Sequence, residues 1–322
     1  DPQLTGSGFL GQGARIETVR RIYSQFLTAQ VMEAKTQNAE YGAYADQIAA
    51  LDNLLADPEA GLSPAMSDFF DALQSVSASP TSLASRQSAI SAAQSMTARF
   101  NALDTRLEQI RTGLNGEITG SVELINQLVT QIAQYNDQIA VAESTTGPTR
   151  LANDMLDARE RLITELNELV RVTQLQQSDG SINLFIGNGQ PVVVGGSAFQ
   201  LTAGPSVEDA SRTEVTYTAP GGTVLRMQES SLSGGKLGGL LAFRRETLDE
   251  AQNALGRVAI GMAEQFNAQH LLGQDLNGAL GTAFFNTLSG SALPASTNST
   301  VAAAQVNVTI NDSSELTTSD YR

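Results

Sequence analysis

The apolar residues from Met96 to Leu114 fall at Met96, Phe100, Leu103, Leu107, Ile110 and Leu114, separated by steps of four and three in alternation. This is the heptad seam of a helix packed lengthwise on other helices. The seam resumes at Ile118, Val122, Ile125, Val129, Ile132, Tyr135 and Ile139, but between Ile110 and Val122 it takes successive steps of four, where the supercoil should unwind locally, as at a stutter. Gly113, Gly116 and Gly120 lie in the same interval. Each costs ~1 kcal/mol relative to alanine inside a helix, so together they predict either a kink or a break into two collinear helices. Unbroken, Met96–Ile139 makes a rod of about 66 Å.

The same rhythm flanks this axis. Ile16, Val19, Tyr23 and Phe26, then Tyr41, Tyr44, Ile48, Leu51 and Leu55, predict a first helix over 14–56 able to pair alongside the axis helix and closed by Asp57-Pro58 and Gly61. Ser63-Pro64 reads as a cap with proline in the first helical position, opening a short helix with Phe69, Phe70, Leu73 and Val76. Ser79-Pro80 repeats that signal, and Leu83 and Ile90 lead on to Met96. After the turn Thr145-Thr146-Gly147-Pro148, a helix over 151–172 carries Met155, Leu162, Leu166 and Leu169 inward and Asp157, Arg159, Glu160, Arg161, Glu165 and Glu168 mostly outward. So tight a turn folds it back antiparallel.

The period then changes to two. Ile182, Leu184 and Ile186 alternate with Asn183 and Phe185, Gly187-Asn188-Gly189 supplies a hairpin turn, and 192–194, 199–202, 214–218 and 223–227 read as further strands. Gly234-Gly235 and Gly238-Gly239 mark the exit, and a helix returns over about 240–272 with Leu248, Leu255, Val258, Met262 and Phe266 inward; Gly256, Ala259, Gly261 and Ala263 permit close approach of a neighbour. The expected organisation is a lead-in loop at 1–13, a helical bundle from 14–172 and 236–272, an inserted β module at 173–235, and from 273 to 322 the start of a second, truncated β-rich domain with alternation at Val306, Val308 and Ile310. Leu103, Leu107, Ile110, Leu162, Leu166, Leu255, Met262 and Phe266 are expected to meet in one elongated core. The fold class is α+β and multidomain: an elongated long-helix bundle with inserted antiparallel β modules.

Composition narrows the chemistry. Among 322 residues only 16% are charged and the net charge is −15, so bulk electrostatics argue against a nucleic acid or an anionic membrane as partner. There is no cysteine, hence no disulfide framework and no thiolate metal site. No stretch approaches ~18 consecutive apolar residues, the length of a membrane-spanning helix. Asp1 and the polar ending Tyr321-Arg322 read as the limits of a piece of a longer protein.

Gly6, Gly8 and Gly11 match G-x-G-x-x-G, but that fingerprint requires a strand before it and a βαβ unit around it, so a flexible loop is the better reading. His270, the single histidine, lacks partners for a triad or a zinc site; a structural or capping role fits, with a cation near a helix C-terminus favourable in itself. Asp275-Leu276-Asn277-Gly278 resembles the opening of a calcium loop without its later ligands, and reads as a turn. Asp154, Asp157, Glu160 and Glu165, interleaved with arginines, read as a solvated charge pattern more than as an acid–base pair. No catalytic, cofactor-binding or metal-binding residue is assigned, and no cofactor is expected. Gln127, Gln131, Gln134 and Gln138 form a polar stripe beside the seam, either solvated or hydrogen-bonded across a contact between subunits.

Asn153-Asp154-Met155-Leu156-Asp157-Ala158-Arg159 resembles the N-D-L-L-D-x-R-D-x-L helix of the first hook-associated proteins of the bacterial flagellum, the family that joins hook to filament. Leu237-Gly238-Gly239-Leu240, Phe243-Arg244, Leu248-Asp249, Asn253, Leu255-Gly256 and Phe266-Asn267-Ala268-Gln269-His270 continue the likeness, followed by Gly273, Asp275, Asn277-Gly278 and Phe284-Phe285. At the front, Gly11-Gln12-Gly13, Val19, Arg21, Tyr23 and Phe26 look like the family's approach to its first long helix, with Ser24 where an acidic residue is common. The resemblance covers about 11–285. It implies a flagellin-like helical core and a non-enzymatic, secreted building block of the extracellular hook–filament junction, arranged as a ring of identical subunits beside neighbouring hook and filament proteins. It further implies innermost terminal helices lying outside this chain, and an export chaperone meeting one of them. The alternatives are a flagellin or other axial protein, and a secreted adhesin with a helical stalk.

Overall fold

The computed structural model describes residues 3–5, 8–10, 25–55, 61–146, 150–286, 307–308 and 316. Its dominant element is α3, Leu83–Thr146, one helix of 64 residues and therefore about 96 Å. It runs without interruption through Gly113, Gly116 and Gly120, so the stutter is absorbed inside a single helix. Around it lie α1 (Gln25–Leu55), α2 (Leu62–Ala78) and α4 (Arg150–Leu169). The return segment is three pieces: α5 (Gly235–Phe243), a π-helical turn (Arg244–Leu248) and α6 (Asp249–His270).

Helix starts differ from the Ser-Pro expectation. Gly61 precedes α2, leaving Ser63 and Pro64 inside its first turn, where a missing N–H costs little. The oxygen that serves the start of α3 is the Ser82 hydroxyl, which accepts from the Ser85 N–H at 3.3 Å. Leu83 is exposed.

The first four-stranded sheet has the order β3 (Val172–Gln176), β4 (Ile182–Ile186), β5 (Gln190–Val194), β6 (Ser197–Ala198), each strand antiparallel to its neighbour. β3 starts where the sequence pattern extends a helix; Val170, Val172 and Thr173 are β-branched and stiff at χ1, which favours the strand. A shift of register between Leu184 and Phe185 puts Val192 opposite no partner, and both Val192 and Val193 are buried. A second sheet has the order β7 (Leu201–Pro205), β8 (Thr213–Thr218), β9 (Val224–Arg226), again antiparallel. Two short pairs complete the strands among the described residues. Near the start β1 (Gln3–Thr5) pairs with β2 (Gly8–Leu10), an antiparallel hairpin and not the opening of a βαβ unit. Late in the chain β10 (Phe285–Asn286) pairs with β11 (Asn307–Val308).

The expected single core is two. One joins the middle of α3 (Leu107 to Ala133) to α4, α5 and both sheets; the other joins the first turns of α3 (Ala89 to Phe100) to α2, α6, Phe284, Phe285 and Leu316. Leu107 and Leu166 are buried in the first, with Ile110 and Leu162 half-buried against it, whereas Met262 and Phe266 pack against the second. Leu255 touches both, and Leu103 is half-buried and belongs to neither. The reason is length: no partner helix spans 96 Å of α3, so different elements cover its successive stretches. In the second core the rings of Phe69, Phe266, Phe284 and Phe285 meet at centroid distances of 4.8 to 6.4 Å.

Helix α1 packs chiefly on α5 and α4, and only weakly on α3. Its buried residues are Met32, Thr36, Ala43 and Leu51, with Tyr44 and Ile48 partly buried; Phe26 and Tyr41 are 71% exposed, contrary to the expected face, and Ile16, Val19 and Tyr23 lie outside the described residues. The small residues of α5 explain the choice of partner. A Cβ at Gly239 would lie 2.2 Å from the Glu40 carbonyl oxygen, so only glycine lets these helices approach so closely. On α6 the inward face is Gln252, Gly256, Ala259 and Ala263, while Val258 is exposed.

Two glycine substitutions should therefore act in opposite directions. Gly239→Ala should destabilise the chain by about 1–3 kcal/mol through overpacking. Gly116→Ala, where nothing lies within 4 Å of the added carbon, should stabilise it by up to ~1 kcal/mol. Urea unfolding of both variants measures the pair; equal effects would show that the α1–α5 approach is looser than described.

Candidate assembly interface

Three asparagines on α3 fasten the β module. Asn126 donates from Nδ2 to the Leu201 carbonyl at 2.8 Å and accepts the Leu201 N–H at 2.9 Å, so its amide acts toward β7 as a neighbouring strand would. Asn136 is 1% exposed; it donates to the carbonyls of Ile182 (2.9 Å) and Gly195 (2.8 Å), and its Oδ1 accepts from the Ile182 N–H and from the Arg159 guanidinium at 2.7 Å. Asn115 donates to the Ser211 carbonyl at 2.7 Å and accepts the Thr213 N–H at 3.1 Å. Steps of eleven and ten residues are about three helical turns, so the three amides share one side of the helix. Asn167 grips the Met32 carbonyl and the Val172 N–H in the same manner, and Asn267 grips Phe284 and Phe285.

A charged seam runs between α3, β8 and the π-helical turn. Arg244, 1% exposed, donates to the Thr213 carbonyl at 2.7 Å and to Glu229 at 2.9 Å. Burial lowers its pKa, opposed by Glu229. Arg212 bridges Glu229 and Asp249 at 2.9 and 2.7 Å; burial works against its charge, but the two carboxylates outweigh it and hold its pKa above the ordinary value. Arg111, also buried, donates to Ser211 at 2.7 Å and to Gln252. A cavity of about 890 Å³ opens beside this seam, with Glu208, Arg212, Glu214, Arg226, Glu229 and Asp249 in its wall. Those charges bond one another, since Arg226 pairs with Glu208 and Glu214, and they do not converge on a point in the cavity.

The outer face of α3 is different. Gln127, Gln131, Gln134 and Gln138 are all exposed, on the side away from the buried Leu128, Val129, Ile132 and Ile139.

Residues weighed for chemistry fall apart in space or find structural partners. His270 is buried, stacks on Phe266 and places Nδ1 2.7 Å from the Thr282 carbonyl. Burial lowers its pKa, opposed by that hydrogen bond, so the expected cation at the helix end is replaced by a neutral ring. Asp275 closes a turn on the N–H groups of Asn277 and Ala279. Asp154, Asp157 and Glu165 are exposed and Glu160 is half-buried, beside the Lys35–Glu168 pair at 2.7 Å. Among the described residues no group of three or more His, Cys, Asp or Glu is placed to hold a metal ion.

Fold and surface together define an α+β scaffold organised on one long helix, with Arg212 and Arg244 joining its return segment to the second sheet. A family model, the flagellar hook-associated protein FlgK helical domain, matches residues 48–285. Flagellar hook-associated protein 1 of Salmonella typhimurium (strain LT2) is 34% identical over 319 residues, 99% of this chain and 57% of that protein. Its counterpart in Escherichia coli (strain K12) is 35% identical over 99% of this chain and 58% of that protein. The solved structure of the flagellar hook junction protein FlgK from Burkholderia pseudomallei superposes with a TM-score of 0.74 at 35% identity, over 80% of this chain and 46% of that one. This chain belongs to the FlgK family of flagellar hook-associated proteins, a family of flagellar structural proteins, and it spans rather more than half the length of the Salmonella typhimurium and Escherichia coli relatives.

His270 provides the titration test. Its folded pKa lies below the ordinary ~6.5, so stability is full above that value and falls as pH drops from it toward the folded pKa, with a slope no steeper than ~1.4 kcal/mol per unit. Urea unfolding between pH 7.5 and 5.5 should show this loss, and His270→Gln should flatten it. An increase in stability on acidification that His270→Gln abolishes would mean the ring is charged in the fold.

Proposed function

We propose that this chain is the helical and β-module portion of a structural subunit that joins hook to filament in the bacterial flagellum, exported to the cell exterior and without catalytic activity. The observation that carries the reading is its identity of 34–35%, across 99% of its length, with proteins named flagellar hook-associated protein 1. The structural likeness to the flagellar hook junction protein of Burkholderia pseudomallei points the same way. The physical design is compatible: a 64-residue helix stiffened on one side by two cores and a clamped β module suits transmission of force better than turnover of a substrate. Its partners in this reading are identical subunits in a ring, adjacent hook and filament proteins, and an export chaperone. The Gln127, Gln131, Gln134 and Gln138 stripe is part of the surface between subunits. None of the relatives named above is a flagellin or an adhesin.

Cells deleted for their own hook-associated protein 1 supply the test. The full-length protein that contains this chain should restore filament attachment and motility, and a label on it should appear as a single focus at the hook–filament joint. A label spread along the filament would favour an axial filament protein, and one spread over the cell surface an adhesin.

A further inference from the structure

The exposed residues of α3 are unusual in a chain of net charge −15: among the described ones only Glu123 and Asp137 carry charge. On α4 the contrast is complete, since its described exposed residues are Asp154, Asp157, Arg161 and Glu165. A helix face turned permanently to water needs no such neutrality. Along it Gly113, Gly116 and Gly120 are exposed with nothing within 4 Å of where a Cβ would stand. Glycine weakens a helix, and no close approach within the chain accounts for these three. They form a shallow notch in an otherwise full-width rod.

A second neutral face lies on α1. Ala34, Asn38, Tyr41, Ala45 and Ala49 follow steps of four, three, four and four, and all are exposed. Tyr41 stands at its centre with 71% of its surface in water. An exposed tyrosine is a rigid, amphipathic knob of the kind enriched at protein interfaces. Of the charges on α1, Glu33 is paired with Arg171 and Lys35 with Glu168, while Asp46, next to Ala45, and Asp52, three residues after Ala49, are exposed.

We infer that these two faces are halves of one lateral contact between copies of this chain, the α1 face of one copy, led by Tyr41, lying against the glycine-notched face of α3 of the next. Charge chooses the occupant. Two copies that each carry −15 repel wherever their acidic faces meet, whereas the amides of Gln109 and Gln127 can donate to and accept from Asn38 and the tyrosine hydroxyl. Because the two halves are different surfaces, the contact is head-to-tail and extends to a ring or a helix of subunits instead of stopping at a pair. This rests on the reading of the protein as a self-assembling subunit and says which surfaces meet.

The test places the photo-crosslinking residue p-benzoylphenylalanine at position 41, an aromatic for an aromatic. Isotopically light and heavy copies are mixed at about 1 mM, where a weak lateral contact is populated. Mass spectrometry should find light-to-heavy crosslinks from position 41 to peptides within 109–127. Gly116→Glu on the accepting copy, which fills the notch and adds a like charge, should lower their yield by about tenfold or more. The same probe in place of Asp157 should give none. Crosslinks confined to a single copy, crosslinks from α1 to α1, or a yield indifferent to Gly116→Glu would each overturn the contact. If the full-length protein still restores filament attachment in cells, only this pairing of surfaces is lost and the junction reading stands.

Discussion

The structure depends on side-chain amides meeting backbone. A 64-residue helix cannot be enclosed by elements of a third its length, so its neighbours must be fixed one by one. A buried backbone N–H or C=O that lacks a partner costs on the order of 1–3 kcal/mol, and each asparagine answers one such donor and at least one such acceptor together. Asn126 and Asn136 complete the β module where β7 and β4 begin, and Asn115 does the same ahead of β8. The register of the sheets on α3 is thereby set by hydrogen bonds with defined direction, while the apolar seam supplies the bulk of the burial without direction.

The charged seam extends the same logic to the return segment. Arg244 sits at the first position of the π-helical turn, and the wider turn lets a helix-borne guanidinium reach both Thr213 and Glu229. Replacing buried ion pairs by apolar groups is often neutral or stabilising. What Arg244, Arg212 and Glu229 contribute is better described as position: they hold α5 and α6 at one offset against β8. That offset brings Gly239 to Glu40 and leaves the outer sides of α1 and α3 in water.

Much of this was legible in the pattern of residues, because apolar period reports burial directly. The steps from Met96 to Ile139 located the axis helix, and alternation from Ile182 located the β module. The same rules missed what depends on distance. Whether Gly113, Gly116 and Gly120 break a helix depends on packing at Leu114 and Ile118 on its opposite side, and those residues are buried. The division of the core followed from partner lengths, which no local period encodes. Tyr41 and Phe26 fit a helical stripe but lie outside the narrower strip that Gly239 admits. The asparagine clamps left one faint signal, a residue of poor helix propensity recurring at steps of eleven and ten beside the seam at positions 115, 126 and 136. The arginine seam left none, since its partners come from four separate segments.

Helix α3 is one continuous rod, and its stability across the glycine interval is that of the module clamped to it. Native-state hydrogen exchange, read amide by amide along α3, tests this most directly. Amides from Gly113 to Gly120 should be protected to the same degree as those from Val122 to Ile139, and both should open together with the strands β4 and β7. Exchange at Gly113–Gly120 faster by orders of magnitude than on either side would contradict it, and would divide the rod into two helices joined by a hinge.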